Sequence, residues 1–302
     1  MEVKISVILP TFNCKFIERS ISSVINQTYK NWELIVIDNY SKNNVEGVVN
    51  IKNDKRIRYF KFNNHGIIGK SRNFGIKKAK FAWIAFIDSD DYWTKDKLHV
   101  VSKNIKKYHY DFFYHNMFIK TDNHSIFKKK LYKYNYILKK PIFDNLIING
   151  NSIIQSSVVV KKNLIKRSGY ISEKKKLVAW EDFDLWLNIS RLTNKFYLIP
   201  KTMGYYYVPI RKNQKLTRFI RNIKEFKKIY EEEIKKIKKK YEINNIWWIN
   251  YSEALMHFKK KNYDKSYFKI KNISTNSLKM NLNIKIFKIT YHLKNLFNGK
   301  KN

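Results

Sequence analysis

The sequence predicts an α/β fold in which a doubly wound, mostly parallel sheet is followed by a helical C-terminal extension. In the first ninety residues, short apolar runs with strand character alternate with segments of helical spacing, the order that gives parallel sheets covered by helices. Polar residues stand where these predicted strands end. Beyond residue 212 the apolar residues keep helical spacing and lysines become frequent. We therefore expect one domain over residues 1–212 and a basic helical extension over 213–302.

The first half of this domain supplies most of the predicted sheet. Four strands are expected, each an apolar run followed by polar or turn residues: Lys4–Leu9, Trp32–Ile37, Arg56–Phe62 and Phe81–Ile87. After the first strand, Asn13 is suited to cap a helix. The apolar face of that helix is expected to consist of Ile17, Ile21, Val24 and Ile25. A second helix is expected at Gly69–Lys80.

The rest of the chain has a more mixed pattern. Strands are expected at Ser156–Val160, Lys195–Pro200 and Gly204–Val208, and a helix at Trp180–Arg191. In the extension, apolar residues follow helical spacing from residue 216 to 241. Further helices are expected at Trp247–Lys260, Asp264–Ile270 and Ile284–Phe297.

The composition limits the class of protein. Hydrophobic residues make up 44% of the 302 residues, enough for a packed core, and the single cysteine, Cys14, excludes an intramolecular disulfide. The sequence contains no uninterrupted run of about 18 apolar residues, so no membrane-spanning helix is predicted from it. The N-terminus leads directly into a strand without a signal-peptide pattern, so we expect a cytoplasmic protein. The histidines show no metal-ligand spacing, which disfavours zinc.

The charge is strongly positive, at +38, from 62 Lys+Arg and 24 Asp+Glu. Nucleic acid, an anionic membrane surface or acidic substrates would all attract such a chain. Because lysine, asparagine and isoleucine are abundant throughout, we interpret most of the charge as compositional drift. Attraction to an anionic membrane, which would place the protein on the inner face of the plasma membrane, is a secondary consequence.

Acidic residues are scarce in this chain, yet they cluster at two places. Asp88-Ser89-Asp90-Asp91 directly follows a predicted buried strand, and Glu181-Asp182 begins a predicted helix. Neighbouring carboxylates repel each other unless a cation or proton offsets their charge, and oxygen ligands suit Mg²⁺ or Mn²⁺. The strand ends at Pro10-Thr11 and Asp38-Asn39 should meet the first cluster at one sheet edge, where such folds bind ligands.

Several segments in order resemble family 2 glycosyltransferases of the GT-A fold, of the type that builds bacterial surface glycans. They are the opening Val3–Asn13, Ser22–Asp38, Gly69-Lys-Ser-Arg-Asn-Phe-Gly75, Ile87-Asp-Ser-Asp-Asp-Tyr-Trp93, Ser156–Val160 and Trp180-Glu-Asp-Phe-Asp-Leu-Trp-Leu187. The resemblance covers residues 3–217. It implies a nucleotide-sugar half over 1–92 and an acceptor half over 93–212. It also implies a nucleotide-sugar donor, a Mn²⁺ or Mg²⁺ cofactor, inversion at the anomeric carbon, and a glycan or lipid-linked acceptor in polysaccharide or lipooligosaccharide synthesis.

The same resemblance implies roles for the acidic residues. Asp90 matches the last acid of the family's Asp-x-Asp motif and is expected to bind the metal, while Asp88 and Ser89 contact the nucleotide sugar. Asp88 meets the ribose or completes the metal shell. Asp91 is either a second ligand or the cap of a helix that begins near residues 94–97.

Asp182 matches the general base, which accepts the proton of the acceptor hydroxyl. Glu181 and Asp184 are the rival candidates for that base. Burial of Asp182 beside Leu185 and Trp186 would raise its pKa and suit this role. Glu181, Trp180 and Ser156 are expected either to contact the acceptor or to support the residues that do.

The nucleoside end is implied by the strand ends. Asp38 should approach the base or ribose, and Pro10, Thr11 and Asn13 should line the nucleotide. Asn39 stands where the family often has a second acid that reads a uracil-type base, so a UDP-sugar is expected but with altered contacts.

Two basic residues complete this end of the expected site. Arg72 either contacts the diphosphate or pairs with Asp88 or Asp90. Arg211 lies in a segment where relatives often carry a metal-binding histidine, and it either contacts the diphosphate or is a surface residue.

Two other functions compete with this interpretation. A nucleic-acid-binding protein would use the positive charge with tyrosine and phenylalanine stacking, although the acidic clusters would repel phosphate unless a metal is bound. We therefore expect no nucleic acid partner. A peripheral membrane protein with a vestigial sugar site is suggested by the basic amphipathic stretch Ile284–Phe297, which is equally suited to pack on the catalytic domain.

Overall fold

The computed structural model describes residues 2–121, 137–209, 215–271, 273 and 278–298. The chain forms two compact units. The first comprises Met1–Phe143 and Asn151–Ile210, and the second comprises Asp144–Gly150 and Arg211–Asn302. The second unit thus includes a short segment from the middle of the chain. The assignment of 1–212 as catalytic domain and 213–302 as extension stays a prediction.

The first unit is built on an eight-stranded sheet. In chain order the strands are β1 (Ile5–Thr11), β2 (Trp32–Asp38), β3 (Ile57–Lys61), β4 (Trp83–Phe86), β5 (Tyr92–Trp93), β6 (Phe112–Lys120), β7 (Val159–Lys161) and β8 (Phe196–Tyr207). Their order across the sheet is β3-β2-β1-β4-β7-β6-β8-β5. The pairs β3-β2, β2-β1, β1-β4 and β6-β8 are parallel, and the other pairs are antiparallel. The predicted α/β class with a mostly parallel, doubly wound sheet is therefore confirmed.

Helices connect and cover these strands. In the first unit they are α1 (Ile17–Ile25), α2 (Val45–Lys52), α3 (Ile68–Lys78), α4 (Lys97–Lys107), α6 (Lys162–Arg167) and α7 (Glu181–Ser190), while α5 (Ile142–Asn149) leads into the second unit. Strands β1 and β2 are buried along their whole length, since helices and neighbouring strands exclude water from them. The carboxyl ends of β1, β2 and β4 thereby become fixed points on one sheet edge.

Helix α3 packs unusually close to its neighbours because it contains two glycines. A Cβ atom on Gly75 would lie 2.7 Å from Cδ1 of Ile37 on β2. A Cβ atom on Gly69 would lie 2.5 Å from the backbone oxygen of Ser172. At Gly69 the neighbour is backbone, so a larger residue would require the main chain to move, and at Gly75 it would require the buried Ile37 side chain to shift. The helix is therefore held both on the sheet and against the 172 loop, which positions the residues between the two glycines.

Three predicted elements differ from the structure. Asn13 does not cap α1: the cap position is Phe16, without a side-chain hydrogen bond, and Asn13 has a φ of 48° while its side chain accepts a hydrogen bond from the Lys42 amide. Residues 155–157 form a 3₁₀ turn, so the strand expected at Ser156–Val160 begins only at Val159. The two strands expected at 195–208 are one strand, β8. Its pairing with β6 jumps between Ile199 and Thr202, and this irregularity accommodates Pro200.

The second unit is helical where the structure describes it. Its helices are α8 (Lys215–Ile229), α9 (Glu231–Lys240), α10 (Trp247–Lys259), α11 (Tyr263–Ile270) and α12 (Leu278–Asn298). A small core joins α10, α11 and α12 through Ala254, Ile270, Ile284 and Phe287. Within the described ranges no helix is both long and apolar enough to cross a membrane.

Candidate active site

The carboxyl ends of β1 and β2 lie side by side. Thr11 pairs in register with Asp38, and the Asn39 amide donates a 3.0 Å hydrogen bond to the Thr11 carbonyl oxygen. The buried Asp38 carboxylate accepts hydrogen bonds from the Ser41 amide at 3.0 Å and from the Tyr59 hydroxyl at 2.8 Å. Asp38 therefore fixes the loop after β2, and its expected contact with a nucleoside stays a prediction.

The remaining polar groups of this edge have defined partners. The Asn39 side-chain oxygen accepts a hydrogen bond from the Asn64 amide at 2.8 Å, and the Asn13 amide donates to the Ser41 hydroxyl at 2.9 Å. Pro10 is buried within β1. The Thr11 hydroxyl is buried and has no hydrogen-bond partner among the described residues. A nucleotide at this edge would find Thr11 Oγ1 ready to donate or accept.

Helix α1 holds the acidic loop after β4, residues 88–91, through hydrogen bonds from its side chains to the loop backbone. The Ser20 hydroxyl donates to the backbone oxygen of Ser89 at 2.7 Å, and Arg19 donates to the backbone oxygen of Asp90 at 2.6 Å. From the opposite side, the buried Ser156 hydroxyl accepts a hydrogen bond from the Asp88 amide at 3.0 Å. Ser156 thus supports the acidic loop, and its expected place beside the acceptor stays a prediction.

Asp91 and Lys97 form the buried base of this loop. Asp91 is fully buried and accepts a 2.8 Å hydrogen bond from the Tyr207 amide, so it does not cap α4, which begins at Lys97. Burial, and then the charges of Asp88 and Asp90, raise the Asp91 pKa well above its ordinary value. Lys97 donates to the Ser156 carbonyl oxygen at 2.9 Å, and burial lowers its pKa.

Arg72 links the two acidic clusters. This buried guanidinium lies 2.7 Å from Asp88 through Nη2 and 2.7 Å from Glu181 through Nη1, so the alternative in which Arg72 pairs with Asp88 is the one the structure shows. The second oxygen of Glu181 accepts a hydrogen bond from the Ala179 amide at 2.5 Å. Both oxygens of Glu181 are engaged, which makes this residue an anchor for the start of α7 and a poor candidate for a base.

Asp182 stands next to this anchor in a different environment. Its carboxylate is half-buried and accepts hydrogen bonds from the Phe183 amide at 2.7 Å and the Asn151 side chain at 3.3 Å. Burial, and secondly the charge of Glu181, raise the Asp182 pKa from 3.8 to about 7. A carboxylate with this pKa can accept a proton near neutral pH and release it again.

Asp184, the remaining rival, lies on another surface of α7. It accepts a 3.3 Å hydrogen bond from Asn188, and both residues line an open cleft of about 560 Å³ with Asn73, Tyr170 and Glu173. Neither Asp182 nor Arg72 lines that cleft. Trp180 precedes α7, and its ring packs edge-on against Phe183 at 6.0 Å. These contacts favour Asp182 over Asp184 as the proton acceptor.

The donor set of the acidic loop fits a divalent cation that is shared with a phosphate ligand. Asp88 and Asp90 supply carboxylate oxygens above the buried Asp91. Burial is the larger cause of the raised Asp91 pKa, and the charges of Asp88 and Asp90, which a cation would offset, are the second cause. Three side chains arranged as a complete metal cluster are not found within the described ranges. Mg²⁺ is usually bound by one or two carboxylates, and substrate phosphates supply further ligands.

Several residues of this site were not predicted from the sequence. Arg19, Ser20 and Lys97 hold the acidic loop, and no motif distinguishes them from other polar residues of a basic chain. Ala179 has a φ of 74°, a left-handed conformation that is strained for a residue other than glycine, immediately before the acids of α7. Arg211 lies outside the described residues, so its expected contact is not part of this geometry.

Comparison with known proteins identifies the class to which this fold and site belong. Residues 6–167 match the model of Glycosyl transferase family 2, and the chain belongs to that family. It is therefore an enzyme, a glycosyltransferase.

Two relatives with assigned activities show how far the similarity extends. The chain is 32% identical over 191 residues to the UDP-Glc:alpha-D-GlcNAc-diphosphoundecaprenol beta-1,3-glucosyltransferase WfgD of Escherichia coli, covering 63% of this chain and 71% of that enzyme. It is 34% identical over 170 residues to the poly(ribitol-phosphate) beta-N-acetylglucosaminyltransferase TarP of Staphylococcus aureus, covering 54% of this chain and 52% of that enzyme.

Solved structures show the same fold. The crystal structure of residues 1–349 of TarS from Staphylococcus aureus in complex with UDP-GlcNAc matches with a TM-score of 0.57 and 24% identity, over 70% of this chain and 60% of that chain. A second crystal structure of TarS residues 1–349 matches with a TM-score of 0.58 and 21% identity, over 85% of this chain and 72% of that one.

Proposed function

We propose that this glycosyltransferase transfers a sugar from a UDP-sugar to a glycan or lipid-linked acceptor of the bacterial surface, with inversion and with a divalent cation. The observation that carries this proposal is the pairing of two acidic centres through Arg72. One centre is an acidic loop suited to a cation and diphosphate, and the other contains Asp182 with a pKa of about 7. A displacement at the anomeric carbon requires one group that stabilises the leaving diphosphate and another that accepts the proton of the acceptor hydroxyl. The two centres are suited to these two roles.

The donor would lie along the edge formed by β1, β2 and the acidic loop. Thr11 and Asp38 would face the nucleoside, with Pro10, Asn13 and Asn39 beside them, and Asp88 and Ser89 would face the ribose and diphosphate. The Escherichia coli relative is named for a UDP-glucose donor, which supports uridine as the base. Asn39, as a neutral amide, would pair with the uracil edge as both donor and acceptor.

The chemical step would proceed by direct displacement. The acceptor oxygen forms a bond to the anomeric carbon while the bond from that carbon to the phosphate oxygen breaks, and the electron pair leaves with the nucleoside diphosphate. Asp182 takes the proton of the acceptor hydroxyl as its oxygen becomes bonded. Glu181 and Arg72 hold the start of α7 so that the neighbouring carboxylate faces the acceptor. A cation held by Asp90, with Asp88 nearby, would offset the charge of the leaving diphosphate.

The acceptor is proposed to be a bacterial surface glycan precursor. The two named relatives act, by their names, on a diphosphoundecaprenol-linked sugar and on poly(ribitol-phosphate). An acceptor of the first kind is embedded in the membrane, so we propose that the enzyme works peripherally at the cytoplasmic face of the plasma membrane. The positive charge of the chain would favour such a location.

A thermal-shift panel of nucleoside diphosphates with and without Mn²⁺ tests the donor side. A ligand present at a hundredfold excess over its dissociation constant stabilises the folded state by about 2.7 kcal/mol, a shift that is readily measured. We expect UDP with Mn²⁺ to raise the melting temperature of the wild type and to have little effect on Asp90→Ala. Because Asp182 faces the acceptor, Asp182→Asn should respond to UDP like the wild type.

The outcomes separate the alternatives. A metal-dependent shift with another nucleotide would replace uridine by that base, and an equal shift without metal would remove the cation from the proposal. If no nucleoside diphosphate binds, the proposed donor site is wrong. Transfer from the identified donor to a polyprenyl-diphosphate-linked sugar, measured with purified wild type, then tests the acceptor class.

A further inference from the structure

Helix α12 carries a row of exposed aliphatic side chains. Leu282, Ile286 and Ile289 are 58%, 53% and 59% exposed, and their spacing of four and three residues places them on one face of the helix. The sequence continues the same spacing with leucine at positions 293 and 296. Within the described ranges, no other helix exposes more than one large hydrophobic residue. A contiguous exposed apolar row of this kind marks an interaction surface.

The opposite face of α12 is already occupied. Ile284, Phe287 and Tyr291 are buried, the Phe287 ring lies 4.9 Å from that of Phe258 on α10, and the Tyr291 ring stacks on Tyr267 of α11 at 4.4 Å. The helix is thus anchored within the second unit by one face. Packing α12 inside this unit therefore leaves the exposed row available.

The surroundings of the row are basic. Helix α12 contains four lysines, at positions 279, 285, 288 and 294, and no aspartate or glutamate. Next to it on α11, Phe268 is 67% exposed, and the Lys271 ammonium lies 4.9 Å from its ring. Lys288 reaches across to donate to the Lys271 carbonyl oxygen at 2.9 Å. Residues 211–302 hold 25 Lys+Arg against 7 Asp+Glu, so the charge around this surface is strongly positive.

We propose that this face of α12 lies in the interface of an anionic lipid bilayer, with Leu282, Ile286 and Ile289 below the headgroups and the flanking lysines on the headgroup phosphates. Apolar side chains beside lysines, on a helix without acids, are the pattern of helices that lie in the membrane plane. This inference extends the peripheral location proposed above and assigns it to particular residues.

Two other occupants fit the surface less well. In a symmetric contact with a second copy, lysines of one α12 would face lysines of the other without any acid on that helix to pair with them. Nucleic acid would satisfy the lysines but would leave three aliphatic side chains without an apolar partner, since bases stack on aromatic rings. An anionic bilayer satisfies both parts of the surface.

Vesicle flotation of the full-length protein tests the proposal without any need for catalysis. We expect binding to vesicles of phosphatidylglycerol and phosphatidylcholine, weak binding to pure phosphatidylcholine, and a decrease as salt increases. The triple variant Leu282→Asn, Ile286→Asn, Ile289→Asn should lower the partition coefficient on anionic vesicles at least about tenfold. Ile51→Asn, which alters a residue that is 81% exposed on α2, is the matched control and should bind like the wild type.

Three results would overturn the proposal. They are failure of the wild type to float with anionic vesicles, equal flotation of the triple variant, and sedimentation velocity showing that the row forms a dimer that does not bind lipid. Should the triple variant lose helical circular dichroism, the single change Ile286→Asp carries the same expectation. UDP binding should be unchanged in both, so failure of this inference and failure of the proposed donor site are distinguishable.

Discussion

The sharpest prediction concerns Asp182 and its titration. A positioned general base contributes roughly 10²- to 10⁴-fold to the rate, so Asp182→Asn should lower kcat by about that factor while UDP affinity stays near the wild-type value. With a pKa of about 7, the ionised fraction of Asp182 rises from about one in eleven at pH 6 to about ten in eleven at pH 8. The rate of wild-type transfer should therefore increase roughly tenfold across this range and level off above it.

The assay is steady-state sugar transfer between pH 5.5 and 8.5, with donor binding measured separately by calorimetry. Glu181→Gln provides a second variant that removes the charge and keeps one acceptor oxygen, which can serve either Arg72 or the Ala179 amide but not both. The Glu181 charge raises the Asp182 pKa and the Arg72 charge lowers it, so this variant should move the acidic limb of the profile to lower pH. If Asp182→Asn retains near-normal turnover, or if the acidic limb stays in place in Glu181→Gln, the assignment of the base is wrong.

The same residue should affect stability with a defined sign. Because the pKa of Asp182 is higher in the folded than in the unfolded chain, its ionised form disfavours folding, and this effect grows from about pH 4 to pH 7. A change from 3.8 to about 7 corresponds to about 4 kcal/mol at most. Asp182→Asn should therefore melt at a higher temperature than the wild type at pH 8, with the difference vanishing near pH 4. An inverted difference would mean that the carboxylate is stabilised rather than desolvated.

Three further changes test the surroundings of the site. Asp90→Ala should abolish the Mn²⁺ dependence of UDP binding in calorimetry while leaving the melting temperature of the free protein nearly unchanged; retained metal dependence would exclude Asp90 as ligand. Arg72→Lys reaches only one of Asp88 and Glu181, so urea unfolding should show a loss of about 3 kcal/mol, and unchanged stability would contradict the bridging role. Ala179→Gly removes the strain of a φ of 74° and should stabilise the fold by about 1 kcal/mol, whereas a lower melting temperature would show that this backbone is not strained.

The strands with continuous apolar runs were predictable because an unbroken run of apolar residues by itself indicates a buried strand. The predictions Lys4–Leu9 and Trp32–Ile37 correspond to β1 and β2, each within two residues at both ends. Strand β6 was not predicted, because its buried run includes His115 and Asn116, polar residues that interrupt the apolar pattern. Its strand character comes from pairing with β7 and β8, which sequence periodicity does not contain.

In the site, too, the features that depend on neighbouring residues in the sequence were predictable, and the contacts between residues far apart in the sequence were not. The acidic loop and the acids of α7 stand out as clusters in a basic chain, and their positions at the end of β4 and the start of α7 follow from local patterns. The bridge from Arg72 to Glu181 joins residues 109 positions apart and depends on how α3 packs between the sheet and the 172 loop. The two glycines that permit this packing are visible in the sequence, but the neighbours they must accommodate are not.

Glu181 and Asp182 show why residue type alone does not assign a catalytic role. They are adjacent carboxylates at one helix start, where the positive end of the helix dipole favours either as an anion. Arg72 and the Ala179 amide occupy both oxygens of Glu181. Burial is the larger reason why the pKa of the neighbouring Asp182 is raised, and the charge of Glu181 is the second. The anchoring acid thus contributes to the basicity of its neighbour. If this reasoning holds, the two residues act as one unit, and exchanging them in a Glu181→Asp, Asp182→Glu double variant should impair turnover although both carboxylates remain.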